Sequence, residues 1–75
     1  MSVMDYWRTT VYLRGGQEVE VLSYDAASAT DLHDKMKQAF CLRESIDVQP
    51  NKQARAFIDG AAIACIVTIH VWGGK

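Results

Sequence analysis

The stretch Ala61 to Trp72, AAIACIVTIHVW, contains no Asp, Glu, Lys or Arg, and no other segment constrains the fold as strongly. β-branched residues recur through it, which favours one long strand. It is shorter than the roughly 18 apolar residues that a membrane-spanning helix needs. Strict alternation would place Ile63, Cys65, Val67, Ile69 and Val71 on one face. Ala62, Ala64, Ile66, Thr68, His70 and Trp72 would then form the other. Such length and apolarity predict a central strand, paired on both sides.

Partner strands can be read from the rest of the chain. Tyr6 to Arg14 and Glu18 to Tyr24 are rich in β-branched and aromatic residues, with Gly15-Gly16 between them. A loop of Gly15, Gly16 and Gln17 would set Leu13 against Val19, Val11 against Val21 and Arg14 against Glu18. A one-residue slip would mix acidic and apolar side chains on one face. The expected turn is type I closed by a left-handed glycine, a G1 bulge. From Ala27 to Cys41 the pattern becomes helical: Ala29, Leu32, Met36, Ala39 and Phe40 recur at three- and four-residue spacing. Ser28-Ala-Thr-Asp31 resembles a capping box, and Asp31 with Lys35 makes an i,i+4 pair. Leu42 to Gln53, interrupted by Pro50-Asn51, reads as a connection whose Ile46 and Val48 reach back to the core. Ala54 to Ile58 reads as a short strand, and Asp59-Gly60 as a type I′ hairpin turn into the last strand.

Two hairpins joined by a helix predict one mixed four-stranded sheet with the helix across one face. The right-handed crossover rule makes the first and last strands parallel neighbours, in strand order 2-1-4-3. The expected class is therefore α+β, a ββαββ β-grasp.

Composition narrows the function. At 75 residues the chain is one small domain with a thin stability margin, since such chains bury only about 60% of their unfolded surface. A net charge of −1 provides no basic field for nucleic acid. Arg8, Tyr12 and Arg14 could form a stacking row, but Glu18, Glu20 and Tyr24 oppose them, and cross-strand pairing explains them better. The first residues, MSVMDYWRTT, lack a signal-peptide pattern. The expectation is a cytoplasmic protein with neither membrane nor nucleic-acid partners. Cys41 and Cys65 form no CxxC pair and read as small buried hydrophobes. His33 and His70 are unclustered, so neither a metal nor a cofactor is expected. His70 has no Ser, Cys or Asp partner placed by the pattern, and no enzymatic role is expected.

The last strand is followed by Gly73-Gly74-Lys75. Glycines can thread a narrow channel and bring a carboxylate close to another protein's catalytic groups. With this tail in place, the chain resembles ubiquitin and its relatives over nearly its whole length. TTVYLRGGQEVEVLSYD resembles the family's first hairpin, and SATDLHDKMKQAF falls where its helix lies. PNKQARAFIDGAAI is similar to the stretch around its third strand, and TIHVWGGK to its final strand and diglycine tail. Two departures stand out. The last strand follows Asp59-Gly60 without ubiquitin's long excursion, and the short tail lacks ubiquitin's arginines, as in the sulfur-carrier branch. Leu13-Arg14-Gly15-Gly16 spells ubiquitin's own tail but lies in a turn.

The resemblance implies a β-grasp domain over residues 1–72 and a tail over residues 73–75. It implies a protein modifier: a JAMM-type peptidase removes Lys75, an activating enzyme adenylates Gly74, and a conjugating enzyme passes it to amines of target proteins. Bacterial ubiquitin-like conjugation operons, some tied to antiviral defence, resemble this plan. Gly73 and Gly74 would be the activation site, and Gly74 with Lys75 the processing site. Phe57, Ile66, His70 and Trp72, on the sheet face away from the helix, would form the recognition patch. Lys35, Lys37 and Lys52 would be acceptors for chain building. The sulfur-carrier branch implies instead a Gly74 thiocarboxylate. A third expectation, independent of the tail, is a small phage or mobile-element inhibitor that binds a host protein through its sheet.

Overall fold

The computed structural model describes residues 5–51 and 53–72. Along the chain run β1 (Tyr6–Leu13), β2 (Glu18–Ser23), α1 (Ala26–Leu42), β3 (Ser45–Asn51), β4 (Ala54–Asp59), a 3₁₀ turn (Gly60–Ala62) and β5 (Ile63–Val71). The class is α+β with one helix, as the periodicity predicts, but the strands divide into a three-stranded sheet β2-β1-β5 and a hairpin β3-β4.

The first hairpin keeps its expected turn type with its loop moved by one residue. Gly16 donates its N–H to the Leu13 carbonyl at 3.0 Å, and Leu13 donates to Gln17 at 2.8 Å. Gly16 takes φ of 92°, a left-handed position that Gln17 would occupy only under strain. Val11 consequently faces Val19, and Thr9 faces Val21. The shift is two residues in partner, so the apolar set stays on one face. Arg14 does not pair with Glu18; its N–H donates to Ala62 at 2.8 Å.

Helix α1 starts one residue before its expected position and ends one after it. Its N-cap is Asp25, whose Oδ1 accepts from the Ser28 amide at 2.7 Å. The Ser28 hydroxyl donates to Oδ2 at 2.9 Å. These two bonds, the amide first, hold the Asp25 carboxyl below the usual carboxylate range. Ser28 is thus the cap's partner rather than the cap, which corrects the capping-box reading. Arg43, at φ of 56°, closes the helix by donating to the Ala39 and Phe40 carbonyls. Ala29, Met36 and Ala39 are buried as the stripe predicts, while Phe40 is left 43% exposed at the helix end.

The expected connection over residues 42–53 contains β3, which pairs antiparallel with β4: Ile46 opposite Ile58, and Val48 opposite Ala56. Pro50 argued against a strand because it cannot donate to a ladder. It lies where the register shifts between Val48 and Asn51, and there no ladder donor is needed. Asp59-Gly60 is not a type I′ hairpin. The Asp59 side chain accepts from Ala61 N–H at 3.0 Å and starts the 3₁₀ turn. Gly60 is buried there, and a Cβ on it would fall on the Ala39 and Glu44 carbonyl oxygens.

The extra strand reverses the chain once more than the ββαββ pattern allows. As a result β5 runs antiparallel to β1, from Tyr6 opposite Val71 to Leu13 opposite Ile63. The 2-1-4-3 order with parallel central strands is therefore corrected, and β5 lies at the edge of its sheet. Val11, Val21, Met36, Val48, Ile58 and Ile63 form the core, where both sheets meet the helix stripe. Each such fully buried side chain contributes about 1.5–3 kcal/mol. No buried side-chain polar atom among the described residues lacks a partner. Among those residues no helix is long and apolar enough to cross a membrane.

Candidate functional site

The faces of β5 depend on one unpaired residue. Leu13 pairs with Ile63 and Tyr12 with Cys65, so Ala64 is an extra residue in the ladder, a β-bulge. Ile63 points into the core, the bulge inverts the alternation, and Ile66 also packs against the core. Thr68 follows on the same side, where its hydroxyl meets His33 Nδ1 of α1 at 2.7 Å. The inner face of β5 is therefore Ile63, Ile66, Thr68 and His70. The outer face is Cys65, Val67, Ile69 and Val71.

This overturns the recognition patch drawn from the sequence. Ile66 and His70 face the helix side, Phe57 stands 76% exposed on the separate β3-β4 hairpin, and Trp72 lies just past β5 at 77% exposed. His70 and Trp72 stay in contact, but Ile66 packs against the core and Phe57 stands on the other sheet, so the four do not form one surface away from the helix. The two cysteines are corrected as well. Cys65 is carried outward by the bulge, Cys41 lies at the end of α1, and both are exposed. Lys35 and Lys37 are exposed on α1, where Lys35 Nζ pairs with Asp31 at 3.1 Å. Gly73, Gly74, Lys75 and Lys52 lie outside the described residues.

Two arrangements remain as candidate sites. The first is an aromatic and polar cluster at the end of β5. His70 stacks on Trp7 with centroids 4.5 Å apart and planes within 8°. Trp72 tilts against His70 at 4.3 Å. His70 Nε2 lies 3.1 Å from Asp5 Oδ2, an acidic partner that sequence spacing did not reveal because 65 positions separate the two. Next to this cluster, Trp7, Ala29, Thr30, His33, Asp34 and Thr68 line a hollow of about 290 Å³. His33, Thr68 and Thr9 form a chain in which the two threonine hydroxyls are 3.1 Å apart. In each of these contacts a side-chain group meets another within the cluster. Among the described residues, no group of three or more His, Cys, Asp or Glu could hold a metal. A second hollow, of about 500 Å³, is lined by Arg14, Phe40, Cys41, Arg43 and Ala61.

The second arrangement is the open face of the three-stranded sheet, on the side away from α1 and the hairpin. Its rows run Leu22–Arg8–Ile69, Glu20–Thr10–Val67 and Glu18–Tyr12–Cys65. Leu22, Tyr12, Val67 and Ile69 are each about two-fifths exposed, between 38% and 41%. Charge is unevenly distributed across these rows. Glu18 and Glu20 lie on β2, and Arg8, 3.9 Å from Glu20, lies on β1. The β5 column carries none. Comparison with protein-family models, with characterised proteins and with solved structures finds no match to this chain. The sheet's own geometry therefore carries the functional reading.

Proposed function

We propose that this chain is a non-catalytic docking domain that works through the open face of its three-stranded sheet, and that its partner presents an apolar strand or sheet surface. One observation carries the reading: Cys65, Val67 and Ile69 form an exposed apolar column on that face. Contiguous exposed apolar residues, as opposed to scattered ones, mark an interaction site. The face also offers Tyr12, a residue type enriched in protein interfaces. This is the sheet-binding alternative raised by the sequence, moved to a different set of residues.

The modifier reading is retained as a second proposal, favoured by Gly73-Gly74-Lys75 directly after Trp72. Trp72 lies against His70, which stacks on Trp7, so this aromatic cluster directly precedes the tail that an activating enzyme would take. The antiparallel β1–β5 pairing departs from the β-grasp pattern, so this reading rests on the tail chemistry rather than on the fold. The sulfur-carrier variant shares the same support.

In-cell cross-linking separates the two. The full chain is compared with a Val67→Lys, Ile69→Lys variant and with a chain lacking residues 73–75. Docking predicts that the double variant loses the cross-linked protein and the truncated chain keeps it. The opposite pattern, together with an intact mass showing Gly74 joined to a target amine or carrying sulfur, transfers the conclusion to the tail.

A further inference from the structure

We propose that the partner of the sheet is a second copy of this chain, joined edge to edge through β5. The two strands run antiparallel about a two-fold axis near Val67 and make one continuous six-stranded sheet. The inference goes beyond the docking reading above, because the contact is made by the β5 edge and leaves the open face uncovered.

The argument begins with where β5 lies. Its nine residues, IACIVTIHV, contain no Asp, Glu, Lys, Arg or Pro. A strand of this composition belongs in the middle of a sheet, yet among the described residues β5 pairs only with β1, and its other side is free. Sheet edges normally carry charge, proline or a covering element that discourages pairing. The other edges of this molecule do: β2 has Glu18 and Glu20, β3 has Asp47 and Pro50, and β4 has Arg55 and Asp59. The one bulge in β5, at Ala64, lies near its start and leaves residues 65–71 in regular register with β1. The edge is therefore long, regular and chemically neutral.

The occupant follows from the charge distribution. Glu18 and Glu20 lie two strands from the β5 edge, and Arg8 and Tyr12 lie one strand away. Two-fold pairing at β5 brings the two uncharged columns together at the centre of the sheet and sends all four glutamates to its outer margins. With the axis at Val67, each Val67 faces its counterpart and each Cys65 faces Ile69 of the other copy. No charge opposes a like charge. An uncharged strand set antiparallel against itself is self-complementary, as an isologous interface requires. The axis is perpendicular to the sheet, so both open faces point the same way and merge into one apolar strip.

Sedimentation of the full chain from micromolar to millimolar concentration tests the pairing. A species of twice 8.4 kDa is expected, with concentration-dependent protection of the β5 amides that point away from β1. Val67→Lys places two like charges across the axis and should weaken the dimer about tenfold or more. Its far-UV spectrum should be unchanged, since Val67 is 38% exposed in the monomer. Leu22→Lys, on the same face but two strands away, should leave the dimer intact. Equal loss in the Leu22 variant means that the sheets stack face to face, and it overturns edge pairing. A wild type that stays monomeric also overturns it. If Val67→Lys, Ile69→Lys still loses its cross-linked protein in that case, the docking reading survives with a different partner.

Discussion

Gly60 shows how much a single residue can carry at the junction of these elements. Its amide donates to the Glu44 carbonyl at 3.0 Å, and backbone oxygens from two segments occupy the space of a side chain. Gly60→Ala must displace the end of α1 and should cost about 1–3 kcal/mol, read from the urea midpoint. Asp25 carries the opposite end of the helix, and its effect depends on pH. Its carboxyl is held below the usual range when folded, so its contribution is complete above the ordinary carboxylate pKa and is lost as pH falls through the lowered folded value. Asp25→Asn keeps a capping oxygen but not the charge. Melting curves for wild type and variant should be offset by a constant amount near neutrality and converge below about pH 4. Thiol reactivity is a third check at this scale. Cys41 and Cys65 should both react with a thiol reagent in the native state, since both are exposed; protection until unfolding would contradict the bulge that turns Cys65 outward.

At the scale of elements, the bulge in β5 decides more than any contact. In an ordinary strand, removing one residue inverts every side chain that follows. Here deletion of Ala64 should leave Ile66, Thr68 and His70 facing inward, because Ala64 is the residue without a partner in the ladder. The expected result is a folded protein with cooperative unfolding and near-native tryptophan fluorescence; a non-cooperative product would sink the assignment. Met36→Ala marks the other extreme. Met36, on the buried stripe of α1, is fully enclosed in the core, and its truncation should cost about 2–5 kcal/mol in equilibrium unfolding. The helix was legible to within a residue at each end because its apolar spacing is local, although its caps, Asp25 and Arg43, were not the ones read. The first hairpin was legible because glycine marks its turn. β3 was not, because Pro50 argues against a strand locally and only the ladder with β4 shows that its missing N–H falls at an irregularity.

For the whole molecule, the antiparallel β1–β5 pairing removes the parallel centre on which the ubiquitin resemblance depended, and it leaves the most apolar strand at an edge. Of the candidate site, the sequence pointed to the sheet and to its last strand, but the face on which each residue of that strand lies was not legible, because the bulge at Ala64 inverts the alternation. The bulge turns Ile66 and His70 toward the helix side and a second sheet carries Phe57 away, while Trp72 stays against His70. By itself the sequence determined the α+β class, the helix and its buried stripe, the glycine turn and the strand character of residues 63–71, because each follows from local propensity and periodicity. Only the tertiary structure decided strand direction, the outward face of β5 and its place at the edge. Those depend on how often the chain reverses and on which backbone groups find partners far away in sequence, and no local pattern encodes either. The composition of the long uncharged strand calls for strands on both sides; among the described residues β1 supplies one, and a second copy is proposed to supply the other.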